Sequence, residues 1–406
     1  MTGTMNLTTT LQIGLYRDGD NNLDVIQSPV IDQAFAASAR DPHVAFTVED
    51  FTARPDFVLP AVPRTETYAI RAGALDGPVR AAPERDASAR GELARFVAHT
   101  LDQAEANHAA ATWLDLVDHG GGDGGGLQTR SGTMRSDDMA GAVADGVALH
   151  ARAHPEDAGR RVDGVVANQC LMATLSFASA LSHAGVRYLA ASPETMLAPG
   201  VPTTVAAAAI ARHPDDPAAM ARALVAGTMR TRYRAQGQAY GPAAAFDVID
   251  CDPAKTGAVE RAVKRLDTTI ARDVSDRPAL ARAVRADAKS VDGMVRFTRR
   301  QLPWHADRPA LALYDTFARD ARLPADLRAA AGAAREAVAA TVLAHAESRA
   351  FAPFGGADYG DGAGPTVHFA ATAAQRDPWA PQISETDTAF YARVGADRLD
   401  TALGTA

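Results

Sequence analysis

One stretch limits the fold more than any other. Thr112-Trp113-Leu114-Asp115-Leu116-Val117-Asp118 is a short, mostly apolar run that passes directly into His119-Gly120-Gly121-Gly122-Asp123-Gly124-Gly125-Gly126. The first part fits a buried strand, and the second part suits neither helix nor strand and must be a loop. In open parallel sheets, ligands bind beyond the carboxyl ends of strands, where loops gather side chains. A histidine at the head of such a loop is therefore a candidate for chemistry.

The surrounding pattern agrees. Leu11-Gln12-Ile13-Gly14-Leu15-Tyr16 reads as a strand closed by the turn-rich Asp18-Gly19-Asp20-Asn21-Asn22. Residues 44–51 and 162–167 read as strands, as do 186–191, and 66–71 as an edge strand; residues 91–108, 137–152 and 171–183 read as helices. The alternation predicts an α/β sandwich with a mostly parallel central sheet and helices on both faces. The second half changes character. Residues 203–227, 253–274, 278–300 and 324–349 read as helices, and only 244–249 and 366–370 as strands. A boundary near residue 240 divides an α/β domain, 1–240, from a largely helical C-terminal region, 241–406, with one or two additional strands. The glycines of 119–126 and 355–364 are loops, and no internal repeat is visible.

Composition excludes several classes. With 406 residues the chain exceeds one small core. It is 47% hydrophobic and 22% charged, which argues against wholesale disorder. A net charge of -8 gives no basic footprint, so nucleic acid is not an expected partner. No apolar run is long enough for a membrane span. Residues 1–10 are polar and lack a secretion signal, which predicts a cytoplasmic location, or secretion if a leader has been trimmed. Two cysteines, Cys170 and Cys251, make no disulfide framework.

Cys170 follows the strand at 162–167 as His119 follows the one at 112–118. If those strands are neighbours, both side chains face one crevice. Cys170 also directly precedes the helix expected at 171–183, whose positive end would favour a thiolate. Gly120 would let the backbone approach a scissile carbonyl, and its N–H with that of Cys170 would form an oxyanion hole. Taken singly, a cysteine here is a small buried hydrophobe and a histidine a polar loop residue; the joint pattern is what points to nucleophilic catalysis. Cys251 lies between two carboxylates that would raise its pKa. His108, His150 and His154 lie in polar segments and are expected to be solvated.

Leu15-Tyr16-Arg17-Asp18-Gly19-Asp20-Asn21-Asn22-Leu23 resembles the Tyr-x-x-x-x-Asp-Asn-Asn-Leu signature of the clostripain family of cysteine peptidases, one residue shorter between Tyr16 and the Asn pair. Asp118-His119-Gly120-Gly121-Gly122 resembles the family's His-Gly motif, and Asn168-Gln169-Cys170-Leu171-Met172 its Asp-Ala-Cys-Leu-Met. Ala190-Ala191-Ser192-Pro193-Glu194 with Pro199-Gly200, then Ala244–Asp250, and loosely Gly364–Phe369, resemble later family segments. The resemblance implies a caspase-like fold and an endopeptidase with a His119–Cys170 dyad. It also implies an oxyanion hole at Gly120 and Cys170, and substrate contacts at Asn168, Ser192 and Glu194. Characterised relatives cut after basic residues. Asn168, however, stands where the family has an acid that helps form that pocket, and Val201-Pro202-Thr203 replaces an aromatic-rich stretch. Either Glu194 or Asp123 compensates, or the P1 residue is polar or neutral. The competing reading is a silent caspase-like pseudo-peptidase that binds a peptide or protein. No cofactor is expected for the chemistry. Asp18, Asp20 and Asp24 have spacing suited to a hard cation such as calcium, although Asn21-Asn22 is also good turn chemistry. Arg130 and Arg135, or Arg230, Arg232 and Arg234, would be self-processing sites if basic specificity survives, and are otherwise solvated surface.

Overall fold

The computed structural model describes residues 10–52, 64–83, 85–235, 238–291, 307–347, 364–369 and 388–404. Its centre is a ten-stranded sheet. In chain order the strands are β1 (Leu11–Gly19), β2 (Val44–Thr52), β3 (Arg64–Arg71), β4 (Ala74–Leu75), β5 (Arg80–Pro83), β6 (Ala111–Val117), β9 (Gly164–Asn168), β10 (Tyr188–Ala191), β13 (Ala245–Asp250) and β15 (Val342–Glu347). Three two-stranded antiparallel pairs stand apart from it: β7 (Gly126–Gln128) with β8 (Thr133–Met134), β11 (Tyr233–Ala235) with β12 (Gln238–Tyr240), and β14 (Asp307–Pro309) with β16 (Thr366–His368).

The sheet order is β15-β13-β10-β9-β6-β1-β2-β3-β4, with β5 also on β3. The five central strands β10, β9, β6, β1 and β2 are parallel, and the flanking β13, β15 and β3 are antiparallel. The central strands are covered on both faces, so they read as nearly continuous apolar runs.

Thirteen helices are described: α1 (Asp24–Gln27), α2 (Pro29–Arg40), α3 (Arg90–Ala106), α4 (Ser136–Ala153), α5 (Leu175–His183), α6 (Thr203–Arg212), α7 (Pro217–Arg230), α8 (Pro253–Val274), α9 (Pro278–Ser290), α10 (Ala310–Arg319), α11 (Ala325–Ala339), α12 (Ala389–Val394) and α13 (Ala396–Leu403). On one face α3, α4 and α5 bring Leu93, Phe96, Met139 and Phe177 onto Leu114, Leu116 and Val165. On the other, α2, α6 and α7 bring Val30, Ala206 and Leu224 onto Ile13, Phe46 and Val166. Alternate residues of β6 thus feed opposite cores, as period two requires. A third core is built from α8 to α13 and meets the sandwich at Leu175 of α5.

Four sequence expectations change. The helix expected at 171–183 begins only at Leu175, where the Thr174 side chain accepts from Phe177 N and caps it. The helix expected at 203–227 is two, because Asp216 caps a new start and Pro217 opens it. The segment expected helical to 349 leaves the helix after Ala339, and residues 342–347 pair with β13 at the sheet edge. Partner strands there override the helix preference of an alanine-rich run. The strand at 245–250, just beyond the sequence boundary near 240, lies within the main sheet beside β10. The helix expected at 278–300 is seen to Ser290; residues 292–300 and the glycines of 355–363 lie outside the described residues.

Candidate active site

β6 and β9 are parallel neighbours, with Val117 opposite Asn168. His119 and Cys170 each lie two residues beyond that last pair. They emerge at the same level from adjacent strands and line one cavity of about 480 Å³. Asn22, Gly120, Thr195, Met196 and Pro199 share its walls.

Gly120 is held against the Cys170 backbone. A Cβ on it would lie 2.1 Å from the Cys170 carbonyl oxygen and 2.9 Å from the Cys170 nitrogen. The close approach that demands glycine is therefore to the cysteine's own main chain. Among the described residues, the N–H groups of Gly120 and Cys170 donate to no backbone carbonyl. Leu171 follows at φ 66°, a left-handed conformation unusual for a branched residue, and it turns the chain directly after the thiol.

The helix-dipole argument for a thiolate does not hold, because the segment after Cys170 is a turn that reaches α5 only at Leu175. Burial pushes the Cys170 thiol up to about 11, against the pull of the Met196 N–H, and Glu194 and Asp118 raise it further. The Met196 N–H points at Sγ from 3.2 Å, and Sγ lies 3.6 Å from the Met196 carbonyl. His119 is lowered by burial, so its resting form is the neutral imidazole. Both shifts favour the uncharged forms, thiol and imidazole, over thiolate and imidazolium.

His119 has a partner that sequence reading did not name as a site residue. Its Nε2 lies 2.8 Å from Asn22 Oδ1. Asn22 comes from the loop after β1, the neighbour of β6 on the side away from β9. Three adjacent parallel strands thus deliver Asn22, His119 and Cys170 in spatial order. The available signal was the Asp20-Asn21-Asn22-Leu23 motif, read as turn chemistry and as part of a family signature but not as a source of site residues. Asn21 donates to Asp118 Oδ1 at 2.6 Å and to the Gln128 carbonyl at 2.8 Å, while the Gln128 N–H also donates to Asp118. Asp118 therefore anchors the glycine loop. Burial first, and then Asp18, raises its pKa.

Asn168 lines the cavity, but its carboxamide bridges one residue: Val201 N donates to Oδ1 at 2.8 Å and Nδ2 donates to the Val201 carbonyl at 3.1 Å. Ser192 and Glu194 are buried and are not among the lining residues. The Ser192 hydroxyl donates toward the carbonyls of Glu194 and Ala245, both at 2.8 Å, and so fixes the turn beneath the site. Asp123 is also turned away, accepting from Tyr391 Oη at 2.6 Å and from Ser176. The only carboxylate among the described lining residues is Asp118.

Asp18, Asp20 and Asp24 have separate partners. Asp24 pairs with Arg17 at 2.8 Å, Asp20 with Arg130 at 3.1 Å, and Asp18 accepts from the Asp20 N–H at 2.9 Å. They do not form a converging ligand group among the described residues. Both cysteines are free, and burial, then Asp250, raises the Cys251 thiol. Arg130, Arg230, Arg232 and Arg234 are exposed and Arg135 is half-buried. His108 is exposed and His154 half-buried, but His150 is fully buried, contrary to the expectation of solvation.

No family model matches the sequence, and no curated protein matches it. Solved structures do match. A secreted C11 cysteine protease from Bacteroides thetaiotaomicron, in complex with an irreversible peptide inhibitor, aligns over 96% of this chain and 99% of its own, with TM-score 0.64 and 13% identity. An inactive zymogen C11 protease from Parabacteroides distasonis aligns over 95% and 98%, with TM-score 0.62 and 15% identity. The chain has the fold of the C11, or clostripain-family, cysteine proteases. Another structure of a secreted C11 cysteine protease from Bacteroides thetaiotaomicron, "iotapain", aligns at TM-score 0.60 and 14% identity over 95% of this chain and 99% of its own. The C11 fold covers the helical C-terminal half as well as the sandwich. The cytoplasmic expectation is corrected, because two of these C11 structures are of secreted enzymes. No described helix is long and apolar enough to cross a membrane.

Proposed function

We propose that the chain is a cysteine endopeptidase in which Cys170 attacks a peptide carbonyl and His119 carries the proton. The observation that supports this best is the matched emergence of the two residues from β6 and β9 into one cavity. Because both rest neutral, the Sγ proton passes to His119 as sulfur bonds to the carbonyl carbon. The developing oxyanion is taken by the N–H groups of Gly120 and Cys170. His119 then protonates the leaving amine, and water activated by the imidazole hydrolyses the thioester. Thiol, imidazole and water suffice for these steps. The substrate is a peptide or protein, met outside the cell as the secreted C11 enzymes would meet theirs.

We assign an uncharged P1 residue to the site. Asn168 supplies no charge and its amide is bonded to Val201, Glu194 and Asp123 do not reach the cavity, and Asp118 is bonded to the glycine loop. Nothing charged among the described lining residues is placed to favour guanidinium, whose charge-assisted bonds are roughly twice as strong as neutral ones. A P1-varied peptide library with Cys170→Ala as control tests both statements. Turnover after neutral residues, absent from the variant, is expected; cleavage only after Arg or Lys would overturn the P1 assignment.

The second reading is a pseudo-peptidase that binds peptide without cutting it. The raised thiol, clasped by Met196, favours it. No turnover of any library peptide under reducing conditions, with peptide binding retained, would select it.

A further inference from the structure

Away from the cavity, the last turns of α3 and α4 bring together two histidines and four carboxylates. His150 and His154 are one helical turn apart on or just past α4, and Asp102 and Glu105 one turn apart on α3. The imidazoles stack, with centroids 4.8 Å apart and planes at 18°. His150 has Nδ1 2.7 Å from Asp102 Oδ1 and Nε2 3.4 Å from Asp157 Oδ2. His154 has Nε2 3.4 Å from the same Asp102 oxygen and Nδ1 2.7 Å from Glu105 Oε2, with Glu156 at 3.7 Å.

Four ring nitrogens therefore face carboxylate oxygens. A neutral imidazole carries one N–H, so two neutral rings satisfy only two of the four. The remaining two nitrogens would point lone pairs at oxygen lone pairs. A metal ion takes up such lone pairs directly.

We propose that Asp102, His150 and His154 bind a divalent transition-metal ion of the zinc class. Asp102, His150 and His154 each offer one ligand atom, and the three atoms lie within 4.8 Å of one another; Asp102 Oδ1 is the oxygen that both His150 Nδ1 and His154 Nε2 approach. Tetrahedral zinc with bonds of about 2.0–2.1 Å sets ligand-to-ligand edges of roughly 3.3 Å. The 3.4 Å separation from Asp102 to His154 is already such an edge, and the 2.7 Å separation to His150 opens as the ion enters. The other two ring nitrogens keep their protons and donate to Asp157 and Glu105. That is the carboxylate–histidine–metal arrangement in which a second carboxylate fixes the tautomer of each ligand. Charge agrees: against four carboxylates the described partners supply one guanidinium, Arg160 on Asp157. Two imidazoles with a carboxylate suit zinc better than calcium or magnesium, which take oxygen donors. Water takes the fourth position. The site lies at the C-terminal ends of α3 and α4, where the chain returns to the starts of β6 and β9, so the ion clamps the crossovers at the rim away from the cavity.

The test uses the full chain carrying Cys170→Ala, so that the cavity thiol takes up no metal. After chelator treatment it is titrated with zinc by calorimetry and with cobalt(II) by visible absorption. One ion per chain and tetrahedral cobalt bands are expected. Both are lost in His154→Ala and in Asp102→Asn, at side chains 32% and 38% exposed where the fold tolerates change, checked by circular dichroism. Absence of uptake by the parent, or uptake at full stoichiometry in either folded variant, overturns the site.

Discussion

His119 Nε2 and Asn22 Oδ1 stand 2.8 Å apart, joining the loop after β1 to the loop after β6. With the asparagine oxygen accepting, the ring proton sits on Nε2 and Nδ1 is left as the base. Asn22→Ala removes the bond, worth about 1–1.5 kcal/mol, and lowers kcat/KM by roughly tenfold. Asn22→Asp places a carboxylate on the imidazole, favours its charged form, and moves the acidic limb of the kcat/KM profile to higher pH. An unchanged profile in both variants would remove Asn22 from the site.

Gly120→Ala drives a methyl into the Cys170 carbonyl, 2.1 Å away, so loop and strand end must part. Displacing an oxyanion donor costs about 10²–10³ in kcat. Steady-state kinetics beside a thermal melt separates this from simple loss of fold. A variant with near-native kcat would mean the Gly120 N–H does not serve the oxyanion.

Asn168→Asp removes the donor to the Val201 carbonyl and buries a charge next to it. A loss of about 1–3 kcal/mol in unfolding free energy is expected, with P1 preference moving toward Arg and Lys. Denaturant melts and the peptide library read the two effects on one sample.

The Cys170 thiol, pushed up to about 11, forms little thiolate at neutral pH. Its alkylation rate in the absence of substrate therefore climbs with pH from 7 to beyond 9, in proportion to the thiolate. A plateau below pH 8 would mean a preformed ion pair. Cys251, walled in, stays unlabelled in the native protein.

Asp115 is fully enclosed beneath the sheet, raised to about 7 by burial, with Thr203 Oγ1 at 3.3 Å pulling the other way. Its folded pKa lies above the unfolded value, so the native state binds more protons between roughly pH 4 and 7. Stability from this group falls as pH rises through that window and is lowest above it. Asp115→Asn flattens the slope and stabilises the protein at pH 8, measured as Tm against pH.

How much of this could be seen in the sequence differs by element. The strand before His119, the strand before Cys170 and their parallel order were visible, because continuous apolar runs between turn signals have few other readings. The start of α5 was not. The residues after Cys170 are as apolar as a helix face, and only the cap at Thr174 and the left-handed Leu171 mark the delay. β15 was hidden for the opposite reason: its alanines favour helix, and only pairing with β13 makes them a strand. Asn22 was read as turn chemistry and as part of a family signature, not as a partner of His119, because a partner brought in by sheet order leaves no local trace. Asn168 was correctly singled out as uncharged, but its bonding to Val201 depends on a loop far along the chain. His150 was read as solvated because its segment is polar, and only the packing of α3 on α4 encloses it.

The common offset of His119 and Cys170 beyond the Val117–Asn168 pair has a consequence for variation. Inserting one residue into β6 or β9 would rotate one of the two to the other side of the pleat, away from the shared cavity. Lengthening or nicking the exposed connections between the two strands would leave their spacing untouched. The relative placement of His119 and Cys170 is written into main-chain pairing, so outlying segments can change in length without moving it.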